Sequence, residues 1–376
     1  MSGLRIAVDA SFVDPGRVGG AEHMVSNLVG GLASACPPDD ELVVYTDRPW
    51  PAPERVRFRA LHGPGNRFTR ITATLRGRLD EHDAVLFTNY FTAPFPKTRR
   101  RPTFVTVIHD LQYLHMPDNF SVRKRAWLRG SHEATLRFAD RTVAISEHVR
   151  GDLLERYGRR WASRVVAIHN PISWERFERD GRLPEGIDGC PFVLAVAAQY
   201  PHKNLETLVL AFAELRRRGG HQDVKLVLAG QLGARLSGVA WTKSLDRPIE
   251  DGGLGDVVVE TGYIDDATLG ALYRHASVFA FPSLFEGFAM PPIEALGFGL
   301  PVLTTREASI PEVTMGSATY LDDPRDPIEI ADRLSEMLGD ADAARPTSAD
   351  VTRIRDAYDP VRIGARYRDL MESGTS

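Results

Sequence analysis

Short apolar runs recur along the chain, and most of them end in a loop. LRIAVDA (4–10), ELVVYTD (41–47), AVLFT (84–88), TFVTVIHD (103–110), RTVAIS (141–146) and RVVAIHNP (164–171) are apolar over most of their length. Strands of that kind are buried on both faces, as in a parallel sheet covered by helices. Amphipathic segments lie between them. AEHMVSNLVGGLA sets Met24, Leu28 and Leu32 four apart, a helical interval, and residues 121–139 form a longer amphipathic stretch. Residues 173–190, SWERFERDGRLPEGIDGC, are charged and broken by Gly and Pro; they read as a connection.

The pattern then restarts. FVLAVAA (192–198), KLVLAG (225–230), VVVETG (257–262), VFAFPS (278–283) and PVLTT (301–305) form a second strand set, with helices expected over 205–218 and 266–276. The expected organisation is an α/β fold of two Rossmann-like parallel-sheet domains facing a central cleft. The first domain covers 1–175, the linker 176–190 and the second domain 191–355. A C-terminal helix over 356–376 is expected to cross back to the first domain. In open parallel sheets ligands bind outside the carboxyl ends of the strands, so function is expected in the loops there.

Composition narrows the class. The 376 residues are 43% hydrophobic and 26% charged, ordinary for a globular protein with more than one domain. No apolar run approaches the ~20 residues of a membrane span. Only a short apolar run precedes Asp9, so no secretory signal is expected. Cys36 and Cys190 lie far apart without metal-type spacing, which fits a reducing, cytoplasmic setting. The net charge of −4 hides an asymmetry: residues 1–175 hold 25 Lys/Arg against 19 Asp/Glu, and the remainder 21 against 31. A basic half can meet phosphates, nucleic acid or an anionic membrane, or can simply be a solvated face.

The most punctuated stretch is FPSLFEGFAMPPIEALGFGLPV, residues 281–302. Glu286 falls on the loop after a strand. Pro291 and Pro292 suit the first turn of a helix, and Glu294 is expected in that turn. Gly287 permits close backbone approach, and the amides of Phe288, Ala289 and Met290 can face an anion at the helix start. Two carboxylates beside an anion would repel it unless they bind something else, and sugar hydroxyls are the natural partner.

This segment resembles the E-x7-E motif of retaining family 4 glycosyltransferases, which have the GT-B fold. The resemblance extends along the chain through Gly19-Gly20-Ala21-Glu22, Ile145-Ser146-Glu147, Asn170-Pro171, Pro201-His202-Lys203-Asn204, Gly262-Tyr263-Ile264 and Leu272-Tyr273. It implies that Glu294 binds the nucleotide ribose, that Glu286 holds the transferred hexose and that Lys203 stabilises the leaving diphosphate. Gly19 and Gly20 would admit the donor phosphate, and Gly230, Tyr263 and Ile264 would help to form the donor site. His109, ending a strand, would hydrogen-bond the sugar or the incoming hydroxyl without being assigned as a base; a structural histidine is the alternative. Where many relatives carry an arginine this chain has Ala197, which leaves one phosphate contact to Gln199 or to backbone amides.

The resemblance further implies a nucleotide-sugar co-substrate with no metal and no other cofactor. Asp340-Ala341-Asp342 reads as a solvated loop. GDP-mannose is the favoured donor, with UDP-sugars as the alternative. The acceptor would be a glycan, a lipid-linked acceptor or a small molecule. Basic clusters at Lys97–Arg101, Arg123–Arg125 and Arg156–Arg164 fit a phosphorylated or lipid-linked acceptor or an anionic membrane. Nucleic acid is not expected, since no binding module is present. A nucleotide-sugar epimerase on the same fold and an inactive nucleotide-sugar-binding subunit are the competing readings.

Overall fold

The computed structural model describes residues 3–14, 20–89, 102–187, 189–231 and 244–374. Two compact units are present, one formed by Met1–Ser173 with Ala357–Ser376 and the other by Trp174–Asp356. Residues 176–190, expected as a linker, pack with the second unit. Phe177 is buried there, and Gly181 sits against the backbone of Ala267 so closely that a Cβ would lie 2.0 Å from its carbonyl oxygen.

The first unit holds a seven-stranded sheet of β1 (Arg5–Asp9), β2 (Glu41–Tyr45), β3 (Val56–Arg59), β4 (Ala84–Phe87), β5 (Thr103–Ile108), β6 (Arg141–Ala144) and β7 (Val165–Ala167). All pairings are parallel and the order is β3-β2-β1-β4-β5-β6-β7. Every residue of β4 and β5 is buried, as expected for strands covered on both faces.

The C-terminal helix Pro360–Glu372 packs along the helix Gly20–Ala35 in this unit. Glycines make the approach possible. A Cβ on Gly31 would stand 2.0 Å from the Pro360 carbonyl oxygen, and one on Gly364 would stand 2.4 Å from the Gly31 carbonyl carbon. Beside this crossing Arg368 reaches the buried Asp40 at 2.7 Å, and the Leu4 amide donates to the same carboxylate. Burial alone would raise the Asp40 pKa, but these partners hold it below its ordinary value.

The second unit holds β8 (Phe192–Val196), β9 (Lys225–Ala229), β10 (Val258–Gly262), β11 (Val278–Phe281), β12 (Val302–Thr305) and β13 (Thr319–Leu321). They form one parallel sheet in the order β10-β9-β8-β11-β12-β13. On one face the helices Leu205–Arg217 and Pro327–Gly339 pack together over a core that includes Val193, Phe212, Leu226 and Leu334. In both sheets the chain lays its first three strands outward in one direction and the later ones in the other. The reversal falls between β1 and β4 in the first unit and between β8 and β11 in the second. Such a switch point opens a crevice at the strands' carboxyl ends.

Candidate active site

In the second unit the switch point is where the predicted residues gather. Lys203 lies in a single 3-10 turn, Pro201–Lys203, that follows β8. Asn204 then takes left-handed backbone (φ 58°) and starts the helix Leu205–Arg217. The loop after β11 carries Glu286. Side chains and backbone lace the two loops together. The Leu284 amide donates to the His202 carbonyl at 2.7 Å, Ser283 Oγ donates to it at 3.1 Å, and Asn204 Nδ2 donates to the Pro282 carbonyl at 3.2 Å. Lys203 Nζ meets Glu286 Oε1 at 2.6 Å, with both side chains largely buried. Ser283 Oγ lies 2.6 Å from the same oxygen, and Ser309 Oγ donates to the Glu286 carbonyl at 2.9 Å. Burial, helped by the neighbouring Lys203 charge and opposed by Glu286, pushes the His202 imidazole down to about 4. His202 is therefore neutral at pH 7.

The helix Met290–Gly297 starts with Pro291 and Pro292 near its N-terminus. Glu294 is its fifth residue, one turn deeper than the sequence suggests. It is 3% exposed, and both carboxylate oxygens are engaged. Tyr273 donates its hydroxyl to Oε2 at 2.8 Å, and Arg176 donates to Oε1 while also reaching Asp266 at 3.1 Å. Burial and the neighbouring carboxylate push the Tyr273 hydroxyl well above its ordinary pKa, so it stays a donor. The left-handed residue of this loop is Ala289 (φ 59°), not the glycine expected to provide backbone freedom. The side chains of Phe288, Ala289 and Met290 are buried.

The remaining candidates divide. Gly230 follows β9 with φ 141°, and a Cβ there would lie 2.2 Å from the Ala197 carbonyl oxygen; close packing accounts for this glycine. Tyr263 is 59% exposed after β10, and Ile264 is half-buried beside it. Gln199 donates to Glu260 at 2.6 Å, so its amide is already committed. A cavity of ≈ 130 Å³ borders Gln199, Tyr200 and Asn204, smaller than the ~300 Å³ at which ligand pockets begin. Asp342 is exposed near Arg345, while Asp340 accepts from the Ala343 amide.

In the first unit, His109 directly follows β5. Its Nε2 lies 2.8 Å from the Thr88 carbonyl, just past β4 and next to that sheet's switch point. A carbonyl only accepts, so Nε2 carries the proton. Burial lowers the His109 pKa, against the pull of the Thr88 carbonyl and Asp110. The neutral ring therefore has Nδ1 as an acceptor. Gly20 opens the helix Gly20–Ala35, and a Cβ there would meet nothing within 4 Å. Gly19 and Lys97–Arg101 lie outside the described residues.

Three residues that matter here received no role from the sequence: Arg176, Tyr273 and Ser283. Tyr273 belongs to the Leu272-Tyr273 pair, but nothing in a strand-and-loop reading links it to Glu294 across 21 positions. Arg176 was hidden in a charged stretch that resembled a linker.

Residues 182–350 match the family described as Glycosyl transferases group 1, and residues 18–176 match Glycosyltransferase Family 4. An O-antigen chain mannosyltransferase B of Escherichia coli is 26% identical over 242 residues, covering 63% of this chain and 61% of that protein. A serotype-specific mannosyltransferase of Escherichia coli is 33% identical over 214 residues, covering 54% of this chain and 25% of that protein. The matches thus span less than two thirds of these relatives. A sucrose-phosphate synthase from Thermosynechococcus elongatus has the same fold, with a TM-score of 0.79 at 19% identity and 98% of each chain covered.

Proposed function

The chain belongs to the family 4 glycosyltransferases of GT-B fold, and from that premise we propose that it is a retaining hexosyltransferase using a nucleotide-sugar. GDP-mannose is the proposed donor, in keeping with the mannosyltransferase relatives. The acceptor is a hydroxyl of a glycan, a lipid-linked acceptor or a small molecule. The observation that carries the reading is the lacing of Lys203 and Glu286 at the second sheet's switch point, one short loop from the helix of Glu294.

Each residue then has a task. The diphosphate lies at the start of the helix Met290–Gly297, where the helix dipole favours an anion. Lys203 keeps one bond to Glu286 and offers its other donors to the diphosphate. Charge that builds on the leaving group is met there. Glu286 accepts from hexose hydroxyls and Glu294 from the ribose. The bond from the anomeric carbon to the phosphate oxygen breaks, and the acceptor oxygen bonds the same face. Its proton passes to the departing diphosphate. In the first unit, the neutral His109 offers Nδ1 as a hydrogen-bond acceptor to a hydroxyl. No metal enters these steps.

Membrane contact is part of the proposal. The helix Val122–Phe138 begins with exposed Val122, Arg123 and Lys124, and Trp127 is 43% exposed with Lys124 Nζ 4.5 Å from its ring. Basic side chains around an exposed tryptophan suit an anionic lipid surface. No helix among the described residues is long and apolar enough to cross a membrane.

The test is turnover. Purified protein is given GDP-mannose, UDP-glucose and dTDP-sugars with candidate acceptors, and the product is read by NMR. Transfer with the donor's anomeric configuration kept is expected. An inverted product removes the retaining mechanism. Interconversion of the donor without an acceptor makes the chain an epimerase.

A further inference from the structure

A second cluster of chemistry stands in the first unit, apart from the residues given roles above. His115 ends the short helix Gln112–His115, which follows β5 and the His109–Asp110 pair. His148 and Asp152 lie four apart on the helix Glu147–Tyr157, which follows β6, so they share one face. His115 Nε2 is 2.6 Å from Asp152 Oδ2, and His148 Nε2 is 3.6 Å from the same oxygen. One ligand atom from each of the three residues lies within 4.8 Å of the others. Around a tetrahedral ion with bonds of ~2.0–2.1 Å, ligand atoms stand roughly 3.4 Å apart. The present spread, from 2.6 Å to within 4.8 Å, brackets that spacing.

We propose that His115, His148 and Asp152 form a site for a divalent transition-metal ion of the zinc class. Two imidazoles and one carboxylate suit zinc, cobalt or nickel better than magnesium or calcium, which prefer oxygen throughout. Exposure rises across the cluster from Asp152 at 12% through His148 at 26% to His115 at 39%. The ion therefore has its most shielded ligand in the half-buried Asp152, a path from solvent and a fourth position for water. The nearby positive charge of Arg150 is turned elsewhere, to Glu147 at 3.2 Å and to the Val165 carbonyl at 3.0 Å. The ion would clip together two segments that follow neighbouring strands, one of which carries His109. Its role is to hold the loop, and the sugar transfer is not routed through it.

The experiment uses the full chain, stripped with chelator and dialysed. Cobalt(II) is titrated and its visible absorption followed; zinc affinity is then read against a chromophoric chelator. One equivalent with a d–d spectrum is expected for the wild type and for His62→Ala, a control at an exposed histidine. His115→Ala and Asp152→Asn are expected to lose the spectrum and to weaken zinc by more than the ~10–100-fold that losing a mere supporting partner costs. Far-UV circular dichroism checks that both variants are folded. Zinc should raise the unfolding midpoint of the wild type and of His62→Ala but not of His115→Ala or Asp152→Asn. A wild type with no stoichiometric uptake, or folded variants that bind as tightly, overturns the site. If one variant unfolds, the other and the wild-type spectrum still decide.

Discussion

Glu294 is held in place by this protein's own side chains, with Arg176 and Tyr273 each bonded to one carboxylate oxygen. A carboxylate 3% exposed needs such partners to replace the water it has lost. Arg176→Ala should destabilise the protein by about 3 kcal/mol, because it leaves a buried charge with one partner removed. It should also raise the donor KM more than it lowers kcat. Tyr273→Phe should cost about 1.5–3 kcal/mol by chemical denaturation, the usual worth of a hydrogen bond to a charged group. A normal KM in a folded Arg176→Ala protein would show that Glu294 needs no such positioning. Ala289 gives a second prediction. Its left-handed backbone (φ 59°) costs a non-glycine residue about 1 kcal/mol. Ala289→Gly should recover part of that in the unfolding free energy read by urea denaturation, less the entropy the glycine adds to the unfolded chain.

Elements differ in how readily the sequence discloses them. Runs such as FVLAVAA and TFVTVIHD become strands because β5, β8 and their neighbours are buried on both faces. The edge strand β3 reads VRFR, and its two arginines break the apolar pattern. β13 is only Thr319–Leu321, too short for periodicity to register. The loops that carry Lys203 and Glu286 were legible from their punctuation, but their mutual bonds were not, since those depend on β8 and β11 being neighbours. The helix crossing at Gly31 and Gly364 is likewise a tertiary fact. Gly364→Val should push Pro360–Glu372 off Gly20–Ala35 and cost at least the 1–3 kcal/mol of an overpacked core. A thermal midpoint unchanged in that variant would contradict the close approach.

For the whole molecule, acid sensitivity follows from buried histidines. Burial holds His132 at about 3 and His82 at about 4, far below their unfolded value of 6.5. Below pH 6.5 the unfolded chain takes up these protons and the folded chain does not. Stability therefore falls as pH drops from 6.5 towards 4, by about 1.4 kcal/mol per pH unit for each fully titrated group. His132→Phe should show a smaller loss between pH 7 and 5 than the wild type, measured by urea unfolding at each pH. The central claim is that the second unit grips a nucleoside diphosphate through Lys203 and the Glu294 helix. Calorimetric titration with GDP tests it most directly, on the wild type, Lys203→Ala and Glu294→Gln. Saturable one-to-one binding is predicted for the wild type, weakened at least about tenfold, or 1.4 kcal/mol, in each variant. Equal affinity in all three proteins, each shown to be folded, would contradict it.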